Sequence, residues 1–164
     1  MTTKEKRYLI VVIFVAILGG IIFYFGGKAT LEAKQKEKQR NLAYCLLSKN
    51  IVLYGDSESS PTEQQKEIFG DAFEYINYVE CNELDDWSEE CKEKSINDVP
   101  TWTFPKRLKI ESFLLSCDEC QKNSKGLYCN DYCFEISDDG EEFYVIGVID
   151  LQTLSRFSDC QIDK

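Results

Sequence analysis

Apolar and polar positions divide this chain into one continuous apolar block and a longer stretch of short periodic segments. From Tyr8 to Gly27, twenty consecutive residues carry no charge (YLIVVIFVAILGGIIFYFGG). As a helix this run is about 30 Å long, the thickness of a bilayer's hydrocarbon core. The apolar region of a secretory signal is shorter, about 7–15 residues. The pattern predicts a retained transmembrane helix in residues 1–27, with a cleaved signal as the alternative. Both export the rest of the chain. Lys28 to Ser48 is charged, with Leu31, Leu42, Cys45, Leu46 and Leu47 gathering toward its end, and predicts a juxtamembrane helix whose spacer covers residues 28–41. Its basic residues suit a solvated spacer or anionic lipid head groups, each worth about 1 kcal/mol near the surface.

Beyond residue 42 the segments shorten. Ile51 to Tyr54, closed by Gly55, reads as a buried strand. Ser60-Pro61-Thr62-Glu63 reads as a helix start, with Ser60 as N-cap, Pro61 in first position and Glu63 completing a capping box. That helix carries Ile68, Phe69, Ala72 and Phe73 on one face. Tyr75 to Cys81 is a second strand, Trp87 to Lys94 a short helix, and Trp102 to Phe104 begins a third strand after Pro100. Phe134 to Ser137, Asp138-Asp139-Gly140 and Phe143 to Gly147 spell a hairpin with an Asp-Gly turn. Leu151 to Cys160, capped by Asp150, closes the chain as a helix. The order predicts a small α/β domain over residues 42–164.

Composition narrows the chemistry. The 164 residues include no histidine. That excludes Ser-His-Asp and Cys-His centres, histidine bases and mixed Cys/His zinc sites. Residues 1–40 hold eight basic and three acidic side chains, a net +5, so the overall −10 leaves −15 on residues 41–164. Such a body lacks the basic footprint of nucleic-acid binding, and nucleic acid is not an expected partner. Basic residues flank the apolar block on both sides, more of them after it, so charge bias alone favours the opposite orientation. All eight cysteines fall in the 137 residues after the block, which fits an oxidising compartment. The expected topology is a single-pass membrane protein with its N-terminus cytoplasmic and its C-terminal domain extracytoplasmic.

The segment CLLSKNIVLYGDSESSPTEQQKEIFGDAFEYINYVEC, followed by EEC and VPTWTF, carries a resemblance. It is similar to the thioredoxin-like domain attached to bacterial vitamin K epoxide reductase homologues, which also occurs in membrane-anchored relatives without the reductase part. The likeness covers roughly residues 42–104 and 145–160. It implies a thioredoxin-like fold with an N-terminal transmembrane helix, and a redox site of the form Tyr-Gly-x-x-Trp-Cys-Pro-x-Cys. Laid onto this chain, the two cysteines fall on Ser59 and Thr62, the motif's proline on Ser60, and the tryptophan on Glu58. The matching proline opposite that motif is Pro100, which the resemblance implies is cis and beside which an extended peptide could pair. Fold maintenance is the plainer role for that proline.

Loss of both sulfurs has a direct consequence. Thiol exchange needs a thiolate, which a helix N-terminus favours, and it proceeds through a mixed disulfide that oxygen cannot form. Asp56 and Glu58 add negative charge beside the position. Ser59, Thr62 and Pro100 are therefore a degenerate site, with no catalytic residue expected there and helix capping the plain role of the hydroxyls.

The resemblance also implies two disulfides, Cys81 with Cys91 and Cys45 with Cys160. Cys117, Cys120, Cys129 and Cys133 fall in an insertion at about 105–143, before the last strand, that the relatives lack. Three readings stay open for their spacing: two further disulfides, a four-thiolate zinc site, or a Cys117/Cys120 redox pair. Asp118 and Glu119 would raise the pKa of that last pair. No cofactor other than such a zinc is expected. The functional expectation is a membrane-anchored accessory or binding module of thiol–disulfide systems that takes a protein or extended peptide. The alternative is an oxidoreductase or electron relay working through Cys117 and Cys120.

Overall fold

The computed structural model describes residues 3–83, 86–105, 120–123, 126–129, 132–137 and 140–162. The chain divides into two compact units, residues 1–37 and 38–164. Helix α1 runs unbroken over Thr3–Ser48, joining the expected span and the juxtamembrane segment into one element. Among the described residues no helix is long and apolar enough to cross a membrane. Within the expected span, only side chains 13–18 are among those described. There Ile13, Phe14, Val15, Ile17 and Leu18 are 49–65% exposed, and at 100° per residue they face several directions around the helix.

The second unit is mixed α/β. Its elements are β1 (Val52–Gly55), α2 (Ser60–Phe69), β2 (Asn77–Glu80), β3 (Asn82–Glu83), β4 (Asp86–Trp87), α3 (Glu89–Glu93) and β5 (Thr101–Pro105), and then β6 (Cys120–Asn123), β7 (Gly126–Cys129), β8 (Tyr132–Ile136), β9 (Glu142–Ile146) and α4 (Leu151–Ser158). One seven-stranded sheet has the order β2-β1-β5-β9-β8-β7-β6, and β3 and β4 form a separate small ribbon. Strands β1 and β2 are parallel, the connection between them passing through α2; every other pair in the sheet is antiparallel. The described part of the insertion adds strands β6, β7 and β8 beyond β9, so it lengthens the same sheet.

Strand alternation sends side chains to two faces. Leu53, Trp102, Phe104, Phe143, Val145 and Phe134 join one core cluster with Leu42 and Leu46 of α1, Phe69 of α2, and Leu154 and Phe157 of α4. Phe157 meets Phe104 and Phe134 edge-on, with ring centroids 6.1 and 5.5 Å away. The other face is thinner. Tyr54 and Tyr144 pack there with Cys81, Cys91 and Ile96 beside the five-residue α3.

Three expected boundaries move. Helix α2 is capped by Ser59 rather than Ser60: the Ser59 hydroxyl accepts from Thr62 N. This places Pro61 second in the helix and Glu63 one position beyond the reciprocal capping contact, and Glu63 instead pairs with Lys66 at 2.9 Å. The α-helix stops at Gly70, whose φ of +53° ends it, and a 3-10 turn over Gly70–Tyr75 carries Ala72 and Phe73 onward. Trp87 belongs to β4, and Ser88 caps α3. Asp150 caps α4 through bonds from Gln152 N and Thr153 N, as its position predicts.

Sulfur joins distant ends of the unit. Cys45 of α1 is bonded to Cys160 just after α4, and Cys81 to Cys91 across the β3–β4 ribbon. These are the pairings the resemblance implies. Lys49 Nζ donates to the carbonyls of Ser158 and Asp159 at 2.6 and 2.9 Å, placing positive charge on the C-terminus of α4 beside the first bridge.

Candidate functional site

Strand β1 ends at Gly55, and three structures converge on that end. Tyr54 stands opposite Thr101 in the β1–β5 register, which puts Pro100 next to Gly55 across the sheet, and the Val99–Pro100 bond is cis. Helix α2 begins four residues after Asp56. Its first turn presses on the strand end: a Cβ built on Gly55 would lie 2.6 Å from Thr62 Cγ2 and 2.8 Å from Tyr78 Cε2. Only a residue without Cβ permits that approach. Ser59, Thr62 and Pro100 thus share one end of β1.

Oxygen atoms take up the amides of this turn. Asp56 N donates to Thr62 Oγ1 at 3.2 Å. Glu58 N donates to Asp56 Oδ1 at 2.8 Å, and Thr62 N to Ser59 Oγ at 3.4 Å. Ser57 N is shared by both Glu80 carboxylate oxygens, at 3.1 and 3.2 Å. Glu80 also accepts from Asn82 N at 3.2 Å and from the Tyr78 hydroxyl at 2.9 Å. Asn82 Nδ2 reaches Asp56 Oδ1 at 3.4 Å. The loop is closed upon itself.

The electrostatics follow from those contacts. Burial alone would raise the Glu80 carboxyl, but donors from Tyr78, Asn82 and Ser57 outweigh it and hold Glu80 below its ordinary value. Burial, then the bond to Glu80 and the negative charges of Glu80, Asp56 and Glu63, push the Tyr78 phenol well above its ordinary value. Lys66 Nζ lies 4.8 Å from the Tyr78 ring centroid and 5.8 Å from that of Phe73. Near neutral pH the turn therefore presents hydroxyls, an ionised carboxylate and a protonated phenol. Thr62 is fully buried. An arriving anion would find the four backbone amides already bonded to internal oxygens, and no sulfur stands on this turn to exchange.

Helix α2 is seated by a buried glutamine. Gln65 Nε2 donates to Ile149 O at 3.0 Å, and Ile149 N donates to Gln65 Oε1 at 2.7 Å, both inside the core. This side chain imitates one rung of a strand ladder and fixes the helix against the loop that enters α4.

Among the cysteines of the insertion, Cys117 lies outside the described residues. Cys120 begins β6 and stands directly opposite Cys129, the last residue of β7. Cys133 on β8 is buried and stands opposite Tyr128 on one side and Ile146 on the other. Among the described residues no group of three or more His, Cys, Asp or Glu is placed to hold a metal.

The resemblance points to Ser59, Thr62 and Pro100, whereas Glu80, Tyr78, Asn82 and Gln65 are not singled out by the sequence. Two signals were present. Tyr78 and Glu80 are two apart in a strand, hence on one face. Thr62, Gln65 and Phe69 follow helical spacing, which puts two polar residues on a buried stripe. No family model matches the chain, and no curated protein matches it either.

Proposed function

We propose that this chain is a membrane-anchored, extracytoplasmic thioredoxin-like protein that has no dithiol site and serves as a binding or accessory module of thiol–disulfide systems. The observation that carries the reading is the end of β1: Ser59 and Thr62 on the first turn of α2, beside the cis Val99–Pro100 bond, with oxygen where exchange requires sulfur. The strand order β2-β1-β5-β9, with β1 and β2 parallel and the next two antiparallel, supports the thioredoxin-like reading. Disulfides at Cys45–Cys160 and Cys81–Cys91 support an oxidising compartment. The uncharged run Tyr8 to Gly27, and the exposed apolar side chains at 13–18, support the membrane anchor and lipid as its partner.

The binding site is the strand end beside Pro100, and its ligand is an extended polypeptide that needs no thiol. The test is saturable binding of a reduced, carboxymethylated polypeptide by the full-length chain in detergent, read by fluorescence anisotropy. Binding that falls at least tenfold in Ser57→Trp, a bulky change at an exposed loop position, supports the reading. Absence of binding, or equal binding by Ser57→Trp, overturns it. Retention of the chain in membranes washed with alkaline carbonate tests the anchor separately, and release into the wash contradicts it.

A further inference from the structure

We propose that Cys120 and Cys129 form a third disulfide, bridging the two outermost strands of the sheet. The register argues for this partner over the others. Cys120 and Cys129 are directly paired in the β6–β7 ladder. Residues so paired have Cα atoms about 4.5–5.5 Å apart, within the span a disulfide bridges. The two bridges among the described residues have Cα separations of 5.9 and 5.7 Å.

Cys133 fits neither of them. It lies on β8, two strands from β6 in the order β8-β7-β6. Two strand spacings amount to about 9.5 Å, beyond the roughly 7 Å at which a disulfide needs backbone movement. Relative to Cys129 it is displaced by one register position, since Cys129 stands opposite Tyr132 and Cys133 opposite Tyr128. Consecutive positions of a strand alternate between faces, so Cys129 and Cys133 occupy opposite faces of the meander. The same two facts oppose a single zinc held by Cys120, Cys129 and Cys133 together, because tetrahedral thiolates must converge on one point.

The location gives the bond a purpose. Among the described residues, strand β6 is the sheet's edge and pairs with β7 alone, over four residue pairs. A short two-stranded pairing is marginal in water, and an open edge invites pairing with other chains. A cross-strand bridge pins the register of this last hairpin. In forming it, each thiol gives up its proton and the two sulfurs share one new bond. The two electrons reduce the disulfide of an oxidised dithiol carrier in the same compartment, which leaves as a dithiol bearing the two protons. The inference does not depend on the binding role proposed above. It does remove Cys120 from any redox pair with Cys117.

The experiment is disulfide mapping of the full-length chain, purified without reductant and blocked with N-ethylmaleimide. Lys122 and Lys125 lie between the two cysteines, Asp118 and Glu119 separate Cys117 from Cys120, and Asp131 separates Cys129 from Cys133. Digestion after Lys/Arg and after Asp/Glu therefore isolates each cysteine. The expected product is the Cys120 peptide joined to the Cys129 peptide, two hydrogens lighter than the separate pair and split by reductant. Joining of Cys120 to Cys117 or Cys133, alkylation of Cys120, or alkylation that begins only after a chelator is added overturns the proposal. As an independent readout, Cys120→Ser gains one alkylated thiol, at Cys129, and Cys120→Ser/Cys129→Ser gains none. A thiol appearing at Cys117 or Cys133 in either variant contradicts it.

Discussion

The start of α2 and the end of α4 are both places where a helix terminus meets a loop, and they are locked by different elements. At the start of α2 the locking atoms are oxygens of Ser59, Thr62 and Asp56 within a seven-residue turn and of Glu80 on β2, all accepting amides of that turn. At the end of α4 a disulfide to Cys45 spans 115 residues, and Lys49 covers the last carbonyls. The oxygen lock is local and reversible, and it leaves no group able to pass electrons. The sulfur lock is covalent and long-range. Its two sulfurs are spent on each other. Sulfur here ties the scaffold together, whereas the turn where the resemblance expects reactive thiols is held by hydrogen bonds.

That contrast ranks the expected effects. Breaking the long-range bridge with Cys45→Ser/Cys160→Ser lowers stability most. Loop entropy over a closure of this size gives about 4–5 kcal/mol, read from the midpoint of a urea titration. A loss below about 1 kcal/mol would mean that packing alone holds the ends of α1 and α4 together.

Removing the buried rung with Gln65→Ala leaves Ile149 N and O without their partner in the core. Each orphaned group costs about 1–3 kcal/mol, so the expected loss is at least about 2 kcal/mol in the same titration. Gln65→Glu is expected to be worse, because Ile149 O would then face an acceptor and a charge would be buried.

Ser59→Ala deletes the cap of α2 and is expected to cost about 1 kcal/mol. Equal stability in Ser59→Ala would show that Thr62 and Glu80 hold the turn by themselves.

The smallest effect is in the acid limb. The carboxyl of Glu80 is held below its ordinary value in the folded chain by three donors. Its stabilising contribution is thus complete above the unfolded value of about 4.3, and it fades as pH falls through the lower folded value. Glu80→Gln should flatten the dependence of thermal midpoint on pH below about 4.3 while leaving its slope near neutrality unchanged. An unaltered acid limb would place the Glu80 contacts outside the folding balance.

Much of this organisation could be read from local sequence. The strand ending in Gly55, the helix faces around Phe69, the Asp150 cap and the hairpin around Gly140 follow from periodicity and turn chemistry that each segment carries by itself. The cap of α2 was displaced by one residue because Ser59 and Ser60 are adjacent hydroxyls, and sequence does not say which one adopts the extended conformation. Gln65 was hidden for a different reason. Its partner is the backbone of Ile149, 84 positions away, and a backbone partner leaves no mark on composition. The same applies to Ser57 N on Glu80. The extension of the sheet by β6 and β7 was illegible because short segments rich in Cys, Tyr and Lys fit a stapled loop as well as a strand. Their membership is decided by pairing outward from β8, which is itself paired to β9.

The claim at the centre is that the turn between β1 and α2 is chemically inert because its locking atoms are oxygen. The most direct test is the rate of insulin-disulfide reduction by the full-length chain with dithiothreitol as electron source. The account predicts a rate equal to dithiothreitol alone. A rate several-fold above that blank, persisting in Cys120→Ser and lost in Ser59→Ala/Thr62→Val, would contradict it.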